Sequence, residues 1–213
     1  MKTADLVSML ATGTDAVDAG EPARRFLIAI GAGALVATVL MVLWLDVRTT
    51  LARDASLPMF WVKEAFCVAL VAAGVIAVTR LARPGAALAW VRPLAAAPIL
   101  ALWLLAVVVL AAADPADRGD LIRGVSWTEC PYNIAALSLP AFAAILWAMK
   151  GLAPTRLRLA GAAAGFAAGA IGALVYTLHC PELDAPFLAI WYVSGILIPA
   201  IFGACVGPVL LRW

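Results

Sequence analysis

The chain has 213 residues, of which 65% are hydrophobic and only 13% are charged, and its net charge is +2. A soluble domain carries about 25% charged residues, so this composition indicates that lipid is the principal solvent of the chain. The small net charge argues against direct nucleic-acid binding, which requires a clustered basic face.

The N-terminal tail, residues 1–25, carries no apolar segment of a signal peptide. Its first residues predict a short amphipathic helix, because Leu6, Met9 and Leu10 fall on one helical face. A short helix with nothing of its own to pack against is a candidate for docking a partner. A frayed or membrane-surface segment is the alternative interpretation.

Six apolar stretches follow the tail, and each approaches the roughly 20 residues that a helix needs to cross a bilayer. They lie at residues 26–45, 59–79, 93–113, 132–149, 159–179 and 187–211, numbered here as spans one to six. Polar and apolar residues do not alternate as they do in a membrane β-barrel. We therefore predict an all-α polytopic membrane protein, in which a six-helix transmembrane bundle at residues 26–213 follows a short cytoplasmic tail.

The distribution of basic residues orients these spans, because cytoplasmic segments are enriched in Lys and Arg. With the N-terminus inside, the outer loops hold only Arg48, Arg53, Arg118 and Arg123. The inner segments then hold Lys2, Arg24, Arg25, Arg80, Arg83, Arg92, Lys150, Arg156, Arg158 and Arg212. Both termini are therefore predicted to lie in the cytoplasm.

Charged residues interrupt the beginning of span two. Lys63 and Glu64 lie within about a turn of the predicted outer interface, where long side chains reach water by snorkelling or serve structural packing. A functional contact is the alternative, since charges inside membrane segments are costly. Lys63 shares a helical face with Cys67. Cys67 and Cys205 are predicted at different depths, so we interpret both as packing residues.

Two other cysteines are predicted to lie at outer helix ends. Cys130 begins span four, Cys180 ends span five, and each is followed by a proline that suits a helix start or stop. An oxidising compartment allows a disulfide between them. Alternatively, Glu129 and His179 join the two thiols as ligands to a soft or borderline metal, with Glu182 as a further ligand or supporting group. Two unrelated small residues at helix ends are the third interpretation. A sensor role requires both thiols to be close together and reachable from outside.

Span five carries a stripe of glycines, Gly161, Gly165 and Gly169, at four-residue spacing. Small residues in this register let a second helix approach closely. We predict that the stripe packs against a helix of the same bundle; dimerisation is the alternative.

Several motifs resemble the NrsF family. They are the opening Met-Lys-Thr-x-Asp-Leu, Phe60-Trp61-x-Lys63 at the beginning of span two, Leu178-His179-Cys180-Pro181-Glu182, and the closing Gly207-Pro208-x-Leu210-Leu211-Arg212-Trp213. The resemblance covers essentially the whole chain. It implies a six-span protein of the bacterial inner membrane that acts as an anti-sigma factor against an extracytoplasmic-function sigma factor of the sigma-F type.

The resemblance also implies a mechanism without an enzymatic step. The tail would hold the sigma factor at the membrane, and a stress signal at the outward-facing Cys130 and Cys180 would release it. It implies no resident cofactor, although a thiophilic metal could bind the cysteines transiently. A membrane thiol oxidoreductase or a small transporter is the alternative function. The first would want a Cys-x-x-Cys pair, which is missing, and the second would want ionisable residues near the midplane of the membrane.

Overall fold

A computed structural model describes residues 3–12, 20–83 and 91–212 of the chain, and within them the structure is helical apart from turns and loops. In chain order the helices are α1 (Thr3–Ala11), α2 (Glu21–Trp44), α3 (Leu51–Asp54), α4 (Pro58–Leu81), α5 (Val91–Ala112), α6 (Arg118–Arg123), α7 (Cys130–Lys150), α8 (Leu157–Tyr176), α9 (Ala185–Phe187) and α10 (Val193–Leu210). A π-helical turn, Leu188–Tyr192, joins α9 to α10.

Six helices in the described part of the chain are long and apolar enough to cross a membrane, which confirms the predicted fold class. They are α2, α4, α5, α7, α8 and the continuous stretch Ala185–Leu210. The first membrane helix, α2, begins at Glu21 instead of residue 26. Pro22 allows this earlier start, because a proline fits the first turn of a helix. The fifth ends at Tyr176 instead of residue 179, so Cys180 lies in the following loop.

Helix α8 is the central helix of the bundle and packs against α10, α7 and α4. Within the most apolar 18-residue stretch of α8, 78% is buried by the protein. The corresponding share for α5 is only 11%. Helix α5 therefore lies at the periphery, with most of its apolar surface available to lipid.

The predicted glycine stripe of α8 faces α10 within the same chain. A Cβ atom built on Gly161 would lie 2.8 Å from the Cα of Gly207, and one built on Gly165 would lie 2.8 Å from the Cα of Ala200. A Cβ on Gly169 would lie 2.8 Å from the carbonyl oxygen of Ile196. The two backbones are therefore so close that no side chain fits between them at these three positions.

The loops between the membrane helices gather at two ends of the bundle. The end formed by residues 45–57, 113–129 and 177–184, called the cysteine end below, is connected by hydrogen bonds between segments distant in sequence. Arg48 donates to the Cys180 carbonyl, and Trp191 Nε1 donates to the Ile122 carbonyl at 2.8 Å. The opposite end, called the tail end, comprises residues 20–25, 82–83, 150–156 and 211–212.

The tail contains helix α1, on which Leu6, Val7 and Met9 are exposed. Met1, Lys2 and the side chain of Leu10 lie outside the described residues, so the predicted docking face is described only in part. The division of the chain into a tail and a membrane domain remains a prediction, with α2 beginning inside the predicted tail at Glu21.

Replacing Gly165 with Ala should destabilise the bundle, because the added methyl group would overlap the backbone of α10. Overpacking of this kind costs about 1–3 kcal/mol, so the apparent Tm in detergent should fall by several degrees. Gly31→Ala is the matched control, since a Cβ at Gly31 meets no atom within 4 Å. Equal Tm values for the two variants would contradict the close contact between α8 and α10.

Candidate thiol site

Cys130 is the first residue of α7, as the sequence predicts. Its backbone N–H donates to the Ser126 carbonyl at 2.9 Å, and Pro131 occupies the first helical turn, where a missing N–H costs no helical hydrogen bond. The side chain is 0% exposed and points into the bundle. The start of α7 therefore places the Cys130 thiol in the protein interior at the cysteine end.

Cys180 reaches the same interior from the turn that follows α8. The backbone N–H groups of His179 and Cys180 both donate to the Tyr176 carbonyl at 3.0 Å, which closes the end of the helix before Pro181. The Cys180 side chain is also 0% exposed, and its sulfur lies within hydrogen-bonding reach of the Cys130 thiol. No disulfide joins these two described cysteines in this structure.

Both thiols belong to one buried cluster that also contains Cys67, Tyr176 and Tyr192. The proximity of Cys130 and Cys180 matches what the sensor hypothesis requires, but their exposure does not. Because neither thiol meets solvent, a bulky reagent reaches them only if the structure around them opens. Small oxidants and soft metal ions face a lower steric barrier.

Lys63 contacts this cluster, and its side chain packs inside the bundle instead of snorkelling to water; of the two expected structural roles, this is the packing one. Its side chain is 0% exposed, and its Nζ donates to the carbonyls of Cys180 and Glu182, each at 2.9 Å. The ammonium group also lies 4.9 Å from the centroid of the Tyr192 ring. Lys63 turns inward because two loop carbonyls and an aromatic face replace its hydration.

Arg48 is a second cation at the same loop. Its Nη1 donates to the Cys180 carbonyl at 2.6 Å, and its backbone N–H donates to the Leu178 carbonyl at 3.1 Å. Unlike Lys63, it has a carboxylate partner, Asp54, at 3.3 Å. The Cys180 carbonyl therefore accepts hydrogen bonds from two cations, which makes the surroundings of this cysteine electropositive.

These contacts favour a negative charge on Cys180. The pKa of the Cys180 thiol falls below its ordinary value, to about 5, because the Cys130 S–H donates a hydrogen bond to its sulfur and Lys63 adds positive charge. Together these effects outweigh burial, which acts in the opposite direction. Of the two sulfurs, that of Cys180 is therefore in the surroundings that favour a thiolate, with the Cys130 thiol as its hydrogen-bond donor.

The other predicted site residues serve different contacts. His179 Nδ1–H donates to the Asp46 carbonyl at 2.9 Å, and the Glu182 carboxylate accepts from the backbone N–H groups of Val125 and Ser126, at 2.7 and 3.3 Å. Glu129 is exposed at the start of α7. Within the described residues, no three His, Cys, Asp or Glu side chains are placed together to hold a metal ion. The structure therefore brings the two thiols together without assembling the larger ligand set.

Sequence reasoning missed Arg48 and Tyr192. The sequence feature that could have singled out Arg48 is its position among acidic residues in a predicted outer loop. Tyr192 ends the π-helical turn before α10, and its buried hydroxyl lies near the Cys180 sulfur without a hydrogen bond of good geometry. Such turns are frequent at functional sites because they redirect side chains within a helix.

The reaction of Cys180 with a small thiol reagent such as methyl methanethiosulfonate should show an unusual pH profile. Since only the thiolate reacts, the rate should persist well below pH 8 and decline as the pH falls towards about 5. Cys130→Ala should shift the decline to higher pH, whereas Cys130→Ser retains a donor and should shift it less. Peptide mass spectrometry resolves the modified cysteine. A profile equal to that of the unfolded chain would contradict this account of Cys180.

Comparison with known proteins places the whole chain in one family. A family model described as NrsF, a negative regulator of sigma F, matches residues 10–213. A probable anti-sigma-F factor NrsF from Azospira oryzae is 52% identical over 213 residues, and an anti-sigma-F factor NrsF from Caulobacter vibrioides is 38% identical over 217 residues; each alignment covers 100% of both chains. No solved structure matches the chain. The resemblance seen in the sequence is confirmed: this chain belongs to the NrsF family of negative regulators of sigma F.

Proposed function

We propose that this protein is an anti-sigma factor of the bacterial inner membrane, which holds an extracytoplasmic-function sigma factor away from RNA polymerase. Full-length membership of the NrsF family is the observation that carries this proposal. The protein would act by binding and release, without an enzymatic reaction and without contacting DNA. Isolating the protein in detergent together with its partner tests the proposal, which predicts that mass spectrometry identifies a sigma factor.

The proposed orientation places the cysteine end outside the cytoplasm and both termini inside. The excess of Lys and Arg in the predicted inner segments supports it. A fused reporter that is active only outside should work after residues 50, 120 and 183, which belong to the cysteine end. The same reporter should be silent after residue 154 at the tail end. Activity after residue 154 would contradict the orientation.

The tail is the proposed sigma-factor docking segment. Helix α1 exposes Leu6 and Met9 on one face, and side chains of this kind fit a hydrophobic groove on a partner. Leu10, whose side chain is not described, falls on the same face by helical spacing. A docked tail would keep the sigma factor next to the membrane.

Replacing both Leu6 and Met9 with Asp should weaken sigma-factor binding by about 2 kcal/mol or more, a roughly thirtyfold loss, because charged groups would be buried in the docking face. Membrane insertion should be unaffected. Ser8→Asp is the matched control, since Ser8 is exposed on the opposite face of α1. Affinity measured with the purified sigma factor checks the prediction, and unchanged binding by the double variant would reject the tail as the docking segment.

Cys130 and Cys180 form the proposed stress sensor. Their thiols meet at the cysteine end, beside Lys63 and Arg48, in surroundings that favour a reactive thiolate on Cys180. With a two-electron oxidant such as hydrogen peroxide, the Cys180 thiolate attacks one oxygen, the O–O bond breaks, hydroxide leaves and a sulfenic acid forms. Cys130 then attacks the Cys180 sulfur, the S–O bond breaks, and water leaves as the S–S bond closes. The thiol and the thiolate are oxidised, and peroxide is reduced to water and hydroxide.

A thiophilic metal held by the two sulfurs is the competing trigger. His179 and Glu182 make other contacts in this structure, which favours the disulfide over a metal site with four ligands. His179→Ala should therefore leave the response to oxidant intact. A weakened response to metal in the same variant would favour metal capture instead.

A further inference from the structure

Lys63 is a buried cation that pairs with no carboxylate in the described part of the chain. Its side chain is 0% exposed, and none of the Asp or Glu carboxylate oxygens described there lies within ion-pair distance of it, the ion pair observed being Arg48–Asp54. Two carbonyls and a tyrosine ring solvate the ammonium group but carry no net negative charge. A buried charge needs compensation, and a thiolate on Cys180, the residue whose carbonyl Lys63 binds, would supply it.

The position of Lys63 connects the sensor loop to a membrane helix. The carbonyls that it binds, those of Cys180 and Glu182, flank Pro181, so one ammonium group holds the loop on both sides of the proline. The side chain belongs to α4, which runs from the cysteine end to Leu81 at the tail end. Helix α4 also packs along α8 in the centre of the bundle.

We propose that Lys63 is the positioning residue through which α4 responds to the oxidation state of Cys180, a role that rests on the proposed sensing function. Closing the Cys130–Cys180 disulfide converts one thiolate and one thiol into a neutral bridge. Lys63 then lacks its counter-charge while remaining buried. The ammonium group is driven from the loop towards water, and α4 shifts with it relative to α8.

The central test compares Lys63→Gln with the unmodified protein, each in complex with its sigma factor. Peroxide is added in steps, and the disulfide fraction and the released sigma factor are measured in the same samples. Lys63→Gln still forms the disulfide, but at equal disulfide fraction it releases at least about fivefold less sigma factor, the size of an allosteric coupling. Lys63→Arg, which keeps the charge, restores release.

Arg118→Gln is the matched control, because Arg118 also donates to a loop carbonyl at the cysteine end, that of Ala113 at 3.3 Å, but belongs to α6 instead of α4. It retains the coupling between disulfide and release, so loss of one loop contact is not sufficient. The Tm of each variant is also measured. If Lys63→Gln has a lower Tm but keeps the normal coupling between disulfide formation and sigma-factor release, Lys63 has a structural role only.

The outcomes separate this inference from the proposed function. If the unmodified protein releases sigma factor on oxidation and Lys63→Gln does so equally at the same disulfide fraction, the role of Lys63 is rejected and the sensor survives. If the unmodified protein forms the disulfide without release, both are rejected.

Discussion

The backbone contact between α8 and α10 fixes the geometry on which the cysteine end depends. Gly161, Gly165 and Gly169 let the two helices meet without intervening side chains, and α8 in turn lies at the centre of the bundle. The loop after α8 carries Cys180, and the π-helical turn before α10 carries Tyr192, so both residues are placed by the same helix pair. Rigid packing of this kind lets a small chemical change at one end be transmitted along whole helices.

Electrostatics then distinguishes the cysteine end from an ordinary buried pair of thiols. Two cations, Arg48 and Lys63, donate to the same carbonyl, and only Arg48 has a carboxylate partner within the described residues. The burial of charge at this end is costly, and a structure tolerates that cost where the charge serves a function. The proposed disulfide would remove the compensating negative charge, which makes oxidation an electrostatic event as well as a covalent one. The proposed coupling needs a partner, and family membership points to a sigma factor, since full-length relatives are named anti-sigma-F factors.

Hydropathy predicted the number and order of the membrane helices, because their length and composition are set by the bilayer. Proline after each cysteine also placed Cys130 and Cys180 at helix ends, and the even spacing of three glycines predicted a close helix contact. The direction of Lys63 was not predictable, since a lysine near an interface can reach water or turn inward. Its acceptors include a carbonyl that lies 117 residues further along the chain. The contacts of Glu182 were not predictable either. Its carboxylate accepts from the backbone N–H groups of Val125 and Ser126, and no local sequence pattern connects those residues with Glu182.

In the proposed mechanism, oxidation of the thiol pair at the cysteine end releases a sigma factor at the opposite end of the bundle. The most direct measurement treats spheroplasts with a membrane-impermeant oxidant and follows the sigma factor from the membrane fraction to the soluble fraction. This account predicts release in step with the Cys130–Cys180 disulfide, no release in Cys130→Ser, and normal release in Cys205→Ser, which alters an exposed cysteine outside the site. Undiminished release in Cys130→Ser would contradict it.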